Sequence, residues 1–269
     1  MMQCEEMGGK YREVRDRHFI LMDGDTGKLV TGRQFPKLLT ISANIHGGIL
    51  FLASGGRTFE LNIAEVVRRQ DKRFAELHEN LKQEGLDCGN QITEFLRLIL
   101  KTSNNIRVLY FTKNLLTEPE QSYDSSAIEH HDPVAFPDDC PYLTLCQSSL
   151  ADLNSRLPTG DHVDMRYFRP VIQIAGPPAY DEDKWSELKI DNVTFICDKP
   201  CSRCVLITID PDTGLHRQNE QPLRLLREYR MATGKLREKY SQYPLFGILM
   251  KVKKQGTIRV GDSVYARYK

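Results

Sequence analysis

Two cysteines separated by two residues, Cys201 and Cys204, are the side chains of this sequence whose type and spacing most clearly suggest chemistry. In a reducing compartment this spacing is typical of a zinc site or of a thioredoxin-like redox pair. A thioredoxin motif precedes a helix that lowers the thiol pKa, but residues 205–209 are mostly β-branched and predict a strand. A tetrahedral zinc site needs a second pair, and the remaining cysteines provide none at this spacing. The pattern therefore favours a single thiolate ligand.

The expected direction of the side chains supports the same interpretation. In an extended segment Ser202 and Cys204 point to one face, while Cys201 and Arg203 point to the other. The two cysteines would then not chelate one ion. One thiolate would instead bind a metal whose other ligands come from a cofactor, with Arg203 favouring the deprotonated sulfur. A buried, inert cysteine pair at the start of a core strand stays open as the alternative.

Charge and cysteine content exclude several classes of protein. The chain has 269 residues, 37 of them basic and 36 acidic, so no long-range field for nucleic acid is expected. Its seven cysteines are an odd number, and the first residues show no secretory or transit signal, which favours free thiols in a reducing compartment. No apolar run approaches the length that a bilayer requires. We expect a soluble, cytoplasmic protein from the sequence as written.

The order of predicted elements indicates a β-rich α+β fold in two domains. Residues 19–31, and again residues 38–52, have the pattern of a strand, a glycine-rich turn and a returning strand, and helical spacing follows from Asn90 as the cap. A polar, proline-containing stretch then places a boundary near residue 115, giving an N-terminal α+β domain at 1–114 and a second domain at 115–269. The second domain is predicted to be a β-barrel with a few peripheral helices. Its predicted strands are residues 142–145, 171–175, 193–196, 205–209, 248–252 and 257–265.

Several motifs give the chain a resemblance to a known family. They are Ser149 to Leu157, Tyr167-Phe-Arg-Pro170, the Cys201 to Gly214 run, Pro244-Leu-Phe-Gly247 and Gly256 to Asp262. These segments resemble MOSC domains, and more closely the mitochondrial amidoxime-reducing components. The first region, with Arg15-Asp-Arg17, Thr31 to Leu38 and Asp87-Cys-Gly89, is similar to the MOSC N-terminal domain. The resemblance covers nearly the whole chain.

The resemblance implies a molybdenum cofactor, Mo-molybdopterin, in which a protein cysteine completes the sulfur ligands of the metal. Cys204 matches that metal ligand and is the implied catalytic residue, and Ser202 and Arg203 match cofactor contacts. Arg17 and Arg169 match guanidinium groups placed against the pterin phosphate, a task that suits a planar donor. MOSC domains are also described as binding pyridoxal phosphate.

The resemblance also implies an activity and partners. It implies an oxidoreductase that reduces small N-hydroxylated substrates, such as amidoximes and hydroxylamines, to amidines or amines. Electrons would come from cytochrome b5 and NADH-cytochrome b5 reductase, at the mitochondrial outer membrane facing the cytosol, and we expect a monomer. A non-catalytic MOSC protein that binds the cofactor, or has lost it, is the alternative.

Departures from the family pattern motivate that alternative. Family members have an N-terminal anchor and a first strand with a cofactor-binding lysine and serine, and we expect this chain to lack both, to expose a strand edge and to load the cofactor poorly. The family's asparagine after the Arg-Pro pair is Val171 here, and a Thr-Ser pair reads Asp139-Cys140.

Other residues give weaker signals. His130-His131 suggest a metal, but as neighbours in a polar loop they are expected to be exposed. Asp210 and Asp212 have the chemistry of catalytic acids, but the Pro-Asp-Thr-Gly sequence predicts a turn in which an aspartate caps the backbone. Trp185 is expected to serve in packing or as a surface anchor.

Overall fold

The computed structural model describes residues 1–77, 82–112, 115, 117–118 and 140–269. They fall into two compact units: Met1–Lys10 together with Asp139–Lys269, here the C-terminal unit, and Tyr11–Asp138, here the N-terminal unit. The first ten residues therefore fold with the second half of the chain. The predicted boundary between residues 114 and 115 adjoins residues 113–114 and 116, which lie outside the described ranges, and it stays a prediction.

The chain begins with strands of both units. In order, they and the helices among them are β1 (Met2–Glu5), β2 (Gly8–Tyr11), β3 (Val14–Arg15), β4 (Phe19–Asp23), β5 (Leu29–Val30), a 3-10 helix (Pro36–Thr40), β6 (Ser42–His46), β7 (Ile49–Ser54), β8 (Arg57–Asn62), α1 (Ile63–Arg69), β9 (Lys72–Glu76), β10 (Lys82–Asp87), α2 (Asn90–Leu100), β11 (Ile106–Tyr110) and β12 (Thr117–Glu118).

Two antiparallel sheets organise the N-terminal unit. One has the order β12-β10-β11-β4-β5 with β9 on β10, and the other has the order β6-β7-β8. The predicted hairpin at residues 19–31 is confirmed, because Asp23 Oδ1 accepts the backbone N–H groups of Asp25 (3.1 Å) and Thr26 (2.8 Å) and closes the turn. The second prediction was wrong at residues 38–40, which belong to a 3-10 helix. Pro36 opens that helix, since its fixed φ and missing N–H suit a first turn.

Helix α2 has the predicted apolar face but a different cap. Ile92, Phe95 and Leu96 are buried, as the spacing predicted. Gly89, with φ of 97°, is the N-cap, and Asn90 is already helical. The Asn90 side chain instead accepts a hydrogen bond from Arg107 Nη1 at 2.6 Å, so the asparagine cap prediction was wrong.

A buried ion pair joins the strands of this unit. Asp87 has no exposed surface and receives Arg107 Nε at 2.8 Å on one oxygen and Arg107 Nη2 on the other. Arg73 also pairs with the same carboxylate, and Gly89 N–H donates to it at 2.7 Å. A carboxylate is costly to bury unless it is paired and hydrogen-bonded. The aspartate of the Asp-Cys-Gly motif is therefore explained by its structural role in this ion pair.

The C-terminal unit contains the remaining elements. They are β13 (Tyr142–Cys146), α3 (Gln147–Arg156), 3-10 helices at Thr159–Asp161 and Met165–Tyr167, β14 (Ile172–Ile174), a 3-10 helix at Asp181–Lys184, β15 (Trp185–Ile190), β16 (Val193–Ser202), a 3-10 helix at Val205–Thr208, α4 (Leu223–Tyr229), α5 (Leu236–Tyr240), β17 (Leu245–Lys254), β18 (Gly256–Ile258) and β19 (Val264–Tyr268).

One six-stranded sheet, in the order β14-β13-β17-β16-β15-β19, forms the frame of the C-terminal unit. Strand β1 pairs with β18 on one side and with β2 on the other. Tyr142, Trp185 and Phe195 are large, fully buried side chains in the core of the C-terminal unit. The indole N–H of Trp185 donates to Asp181 Oδ2 at 3.1 Å. The packing role predicted for Trp185 and the β-rich α+β fold class are confirmed. In the described residues no helix is both long and apolar enough to cross a membrane.

The start of α3 is held by a buried carboxylate. Glu182 accepts the Ser149 hydroxyl on both oxygens, at 2.8 and 2.9 Å, and the Cys146 N–H at 3.2 Å. One turn from the end of the helix, Asn154 exchanges two hydrogen bonds with the Val163 backbone. The Ser149 to Leu157 motif is therefore explained by anchoring of this helix.

We expect the Asp87→Asn variant to lose about 3 to 5 kcal/mol of unfolding free energy, because the buried Arg107 would lose its counter-charge. Glu94→Gln is the matched control in the same unit. It removes an exposed pair with Arg97 and should cost less than about 1 kcal/mol. Urea denaturation followed by circular dichroism measures both, and equal losses in the two variants would contradict a structural role for Asp87.

Candidate functional site

The Cys-Ser-Arg-Cys segment lies where β16 ends and a 3-10 helix begins. The last strand pair is Ser202 with Leu245, and the register is irregular between Pro200 and Ser202. The strand predicted at residues 205–209 was wrong, because Val205–Thr208 forms a 3-10 helix. A short apolar run does not by itself distinguish a strand from a buried helical turn, and here the pairing with β17 stops before the run begins. The strands predicted at residues 142–145, 171–175, 193–196 and 248–252 are confirmed. The strand predicted at residues 257–265 was wrong at 259–263, which separate β18 from β19.

The side chain of Arg203 lies inside the unit and is held by backbone carbonyl groups. Its Nε and Nη2 donate to the Phe246 carbonyl at 2.8 and 2.6 Å, and its Nη1 donates to the Phe168 carbonyl at 3.2 Å. The guanidinium also lies 5.4 Å from the centroid of the Phe168 ring. The Arg203 N–H donates to the Pro244 carbonyl at 2.8 Å. These bonds tie the cysteine segment to β17 and to the loop that precedes Arg169.

Gly247 follows the Phe246 acceptor and lies close to the backbone of β13. Its φ is +84°, a conformation that favours glycine. A Cβ at this position would lie 2.8 Å from the Thr144 carbonyl oxygen and 3.4 Å from Arg203 Nη2. The Pro-Leu-Phe-Gly motif thus supplies an acceptor for Arg203 and a glycine where the backbone approaches the Thr144 carbonyl.

The charge of Arg203 has unusual neighbours. Burial lowers the pKa of Arg203; the nearby thiols of Cys201 and Cys204 act to raise it, and the charge of Arg169 acts to lower it. In the part of the chain that the structure describes, no ion pair joins Arg203 to a carboxylate. The cation therefore has neutral carbonyls, two thiols and a second guanidinium as its neighbours.

The remaining residues of the segment differ in exposure. Ser202 is exposed, whereas Cys201 and Cys204 are half-buried. Cys201 packs against the buried Cys140, Leu143 and Leu249. Cys204 is the cap of the 3-10 helix, and its carbonyl accepts the Ile207 N–H at 3.3 Å. The two cysteines therefore have different surroundings and different partners.

Arg169 belongs to the same group of side chains. It follows the 3-10 helix Met165–Tyr167 with a left-handed φ of 54°, and its N–H donates to the Met165 carbonyl at 3.0 Å. Its side chain is exposed, although the adjoining Phe168 is buried against Phe246, with ring centroids 4.6 Å apart. The structure thus brings Arg169, Arg203 and the two cysteines together within the C-terminal unit.

Arg17 is described in the N-terminal unit, where it also has a positive φ, of 57°, and its Nε lies 3.5 Å from Asp16 Oδ2. Its predicted role as a cofactor contact stays a prediction, as do the roles of Ser202, Arg203, Cys204 and Arg169.

The weaker signals have simple outcomes. Asp210 Oδ1 accepts the N–H groups of Asp212 (3.0 Å) and Thr213 (2.9 Å), which confirms the predicted turn. The partly buried Val171 packs against the core of the sheet. The histidine pair at 130–131, like residue 139, lies outside the described residues. Within the described ranges, no three His, Cys, Asp or Glu side chains form a group that could hold a metal ion.

Comparison with known proteins shows the family to which this chain belongs. Residues 131–265 match the MOSC domain, and residues 1–103 match the MOSC N-terminal beta barrel domain. The chain belongs to the MOSC family. It is 36% identical over 264 residues to the mitochondrial amidoxime-reducing component 1 of Homo sapiens, a match that covers 98% of this chain and 76% of that protein. It is 34% identical over 266 residues to the mitochondrial amidoxime reducing component 2 of Rattus norvegicus, with the same two shares. The predicted family and the order of its two domains are confirmed.

Sequence reasoning missed how the MOSC domain holds Arg203. The Phe168 and Phe246 carbonyls and Gly247 were noticed only as parts of motifs. A glycine inside an otherwise apolar strand sequence was the available signal, because it often marks a close approach of another group.

Replacing Gly247 with alanine tests this arrangement. We expect Gly247→Ala to cost about 1 to 2 kcal/mol for the left-handed backbone and about 1 to 3 kcal/mol more for the contact with the Thr144 carbonyl. Gly234→Ala is the matched control, because Gly234 has φ of 58° and open space around its Cβ position. Thermal and urea unfolding measure the difference, and an equal cost at both sites would show that the Thr144 carbonyl does not exclude a side chain at position 247.

Proposed function

We propose that this chain is a molybdenum-cofactor-dependent reductase that removes oxygen from N-hydroxylated compounds such as amidoximes and hydroxylamines. The single observation that carries the proposal is the half-buried Cys204 thiol beside the buried guanidinium of Arg203, which no carboxylate neutralises among the described residues. Membership of the MOSC family and the names of the similar proteins support the substrate class.

The residues present fit the proposed group in their chemistry. A thiolate is the ligand type that soft metal centres prefer, and Cys204 offers one sulfur at the end of a strand. The exposed guanidinium of Arg169 suits a phosphate group, and the exposed Ser202 hydroxyl is available as a hydrogen-bond donor. An anionic cofactor would also offset the positive charge that Arg203 and Arg169 concentrate here.

When bound, the cofactor supplies a two-electron reduction of the N–O bond, chemistry that protein side chains do not provide. The residues of the chain hold and orient it. Cys204 would bind the metal through its sulfur, and Arg169 would bind the phosphate. Arg203 acts differently, because its donors are already engaged with the Phe246 and Phe168 carbonyls. We propose that Arg203 positions Cys204 and supplies a local positive charge.

The partners and the location are part of the same proposal. Electrons would come from cytochrome b5 and its NADH-dependent reductase, through a small and transient contact. The similar proteins from human and rat are mitochondrial by name, and we propose the mitochondrial outer membrane as the place where this chain works.

Replacing the two cysteines separately tests the metal ligand. Cys204→Ser should lower both the molybdenum content and benzamidoxime reduction by more than the roughly 10- to 100-fold that loss of a supporting residue costs. Cys201→Ser is the matched control and should keep most of both, since the half-buried Cys201 packs against Cys140, Leu143 and Leu249. Metal analysis of the purified protein and turnover with a reconstituted electron chain are the measurements.

Two results would count against the proposal. Equal loss in both variants with stoichiometric zinc would replace molybdenum by a zinc site that uses both sulfurs. Normal molybdenum loading without reduction of any N-hydroxylated compound would favour the non-catalytic alternative, a MOSC protein that carries the cofactor.

The arginines should affect retention of the cofactor before they affect the reaction. We expect Arg169→Ala and Arg17→Ala each to remove a charge-assisted contact worth about 1.5 to 3 kcal/mol, and so to lower the molybdenum content after extensive dialysis. The exposed Arg259 and Arg57 provide the matched controls Arg259→Ala and Arg57→Ala, one in each unit, and these should keep the wild-type content. Full loading of the Arg169 variant with an altered substrate preference would move that arginine to the substrate side of the site.

A further inference from the structure

Four of the seven cysteines lie in surroundings that disfavour the thiolate. Burial raises the pKa of Cys4 to about 11 and the pKa values of Cys88 and Cys197 to about 12. Burial also raises the pKa of Cys146, and the adjacent Glu182 carboxylate raises it further. Because the thiolate is the reactive form, these four sulfurs are expected to be inert at neutral pH.

Cys140 is buried too, but it has a polar partner. Its Sγ donates to Asp198 Oδ2 at 3.6 Å, and the other oxygen of that carboxylate lies 3.5 Å from Lys251 Nζ. Asp198 lies on β16 at an irregularity in the register, between Cys197 and Lys199. The bulge directs a carboxylate to a thiol that precedes β13, two strands away in the sheet.

Cys201 lies on the same side of this sheet as Cys140. Strands β13 and β16 both pair with β17, and Leu143 and Lys199 are both paired with Leu249. Cys140, Leu143 and Leu249 form a small buried cluster, and the half-buried Cys201 packs against it. One sulfur of the pair can therefore be reached from solvent, and the other is held beside a proton acceptor.

We propose that Cys140 and Cys201 are a peroxide-oxidisable pair, in which Cys201 reacts with hydrogen peroxide, Cys140 resolves the product to a disulfide and Asp198 accepts the Cys140 proton. The pair does not include Cys204, and the proposal does not depend on the proposed cofactor or substrate. The disulfide would link the segment before β13 to the end of β16, directly before Ser202 and Cys204.

The chemistry balances in two steps. The Cys201 sulfur bonds to one peroxide oxygen, the O–O bond breaks, and the departing hydroxide takes the thiol proton to give water and a sulfenic acid. The Cys140 sulfur then bonds to the Cys201 sulfur and the S–O bond breaks. The proton from Cys140, passed through Asp198, joins the released hydroxide as the second water. The two thiols lose two electrons in total, and the peroxide gains them.

Peptide mapping tests the pairing directly. The full chain is treated with one equivalent of hydrogen peroxide, the remaining thiols are alkylated with N-ethylmaleimide, and the protein is digested without reductant. We expect one linked product, with fragment ions that assign the bond to Cys140 and Cys201, and its disappearance after reduction. A bond between Cys201 and Cys204, or unchanged alkylation of Cys140 and Cys201 after peroxide, would overturn the proposal.

Three variants assign the roles of the residues. Cys140→Ser should leave Cys201 as a sulfenic acid that dimedone labels, and Cys201→Ser should give neither the label nor the linked peptide. Asp198→Asn should slow conversion of the sulfenic acid to the disulfide by on the order of 100-fold, the usual scale for loss of a general base. Cys197→Ser, on the same strand, is the matched control and should form the disulfide at the wild-type rate.

Circular dichroism shows whether each variant is folded. The peptide map of the wild-type protein tests the disulfide independently of the variants. Dimedone labelling of wild-type Cys201 with no disulfide would show that Cys140 is not the resolving thiol. An Asp198→Asn rate equal to that of the wild type would remove the aspartate from the proposal and contradict its assigned role.

Discussion

The buried guanidinium of Arg203 is the interaction on which the arrangement of the site depends. It reaches the carbonyl of Phe246 on β17 and the carbonyl of Phe168 in the loop before Arg169. Hydrogen bonds from a charged donor contribute about 1.5 to 3 kcal/mol each, and a buried cation that lost them would be strongly destabilising. Lysine could not replace it well, because a point charge lacks the planar fork that reaches two acceptors at once. The Arg203 side chain therefore adds to the backbone contacts that position the Cys201 to Cys204 segment.

Neutral carbonyls satisfy the donors of Arg203 but leave its charge largely uncompensated. A carboxylate partner would have neutralised it, and the described residues supply none. The charged and titratable groups that act on Arg203 are the thiols of Cys201 and Cys204 and the guanidinium of Arg169. Two neighbouring guanidinium groups without a carboxylate favour the binding of an anionic group nearby. The charge that fixes the segment is thus also the charge that suits it for ligand binding.

Patterns in the sequence predicted much of the fold but less of the site. The hairpin at residues 19–31 and the apolar face of α2 follow from local rules, and both were predicted. The strand at residues 205–209 was wrong, since its β-branched residues serve equally well in a buried 3-10 turn once pairing with β17 has ended. The buried Arg203 was not predictable either, because its acceptors are backbone atoms. A carbonyl carries no residue signature, and only Gly247 marked the place in the sequence.

Backbone conformation near Arg203 shows that this arrangement is maintained at a cost. Arg169 has a left-handed φ of 54°, a conformation that costs a non-glycine residue about 1 to 2 kcal/mol. Gly247, with φ of +84°, avoids that steric cost but gives up backbone entropy on folding. Both residues adjoin carbonyls that accept from Arg203, those of Phe168 and Phe246. Strained residues persist where the surrounding structure determines them, and here the charged hydrogen bonds of Arg203 provide that determination. The strained backbone at Arg169 and the buried charge of Arg203 therefore belong to one arrangement. It turns the Arg169 side chain to solvent and holds Cys204 just beyond the end of β16.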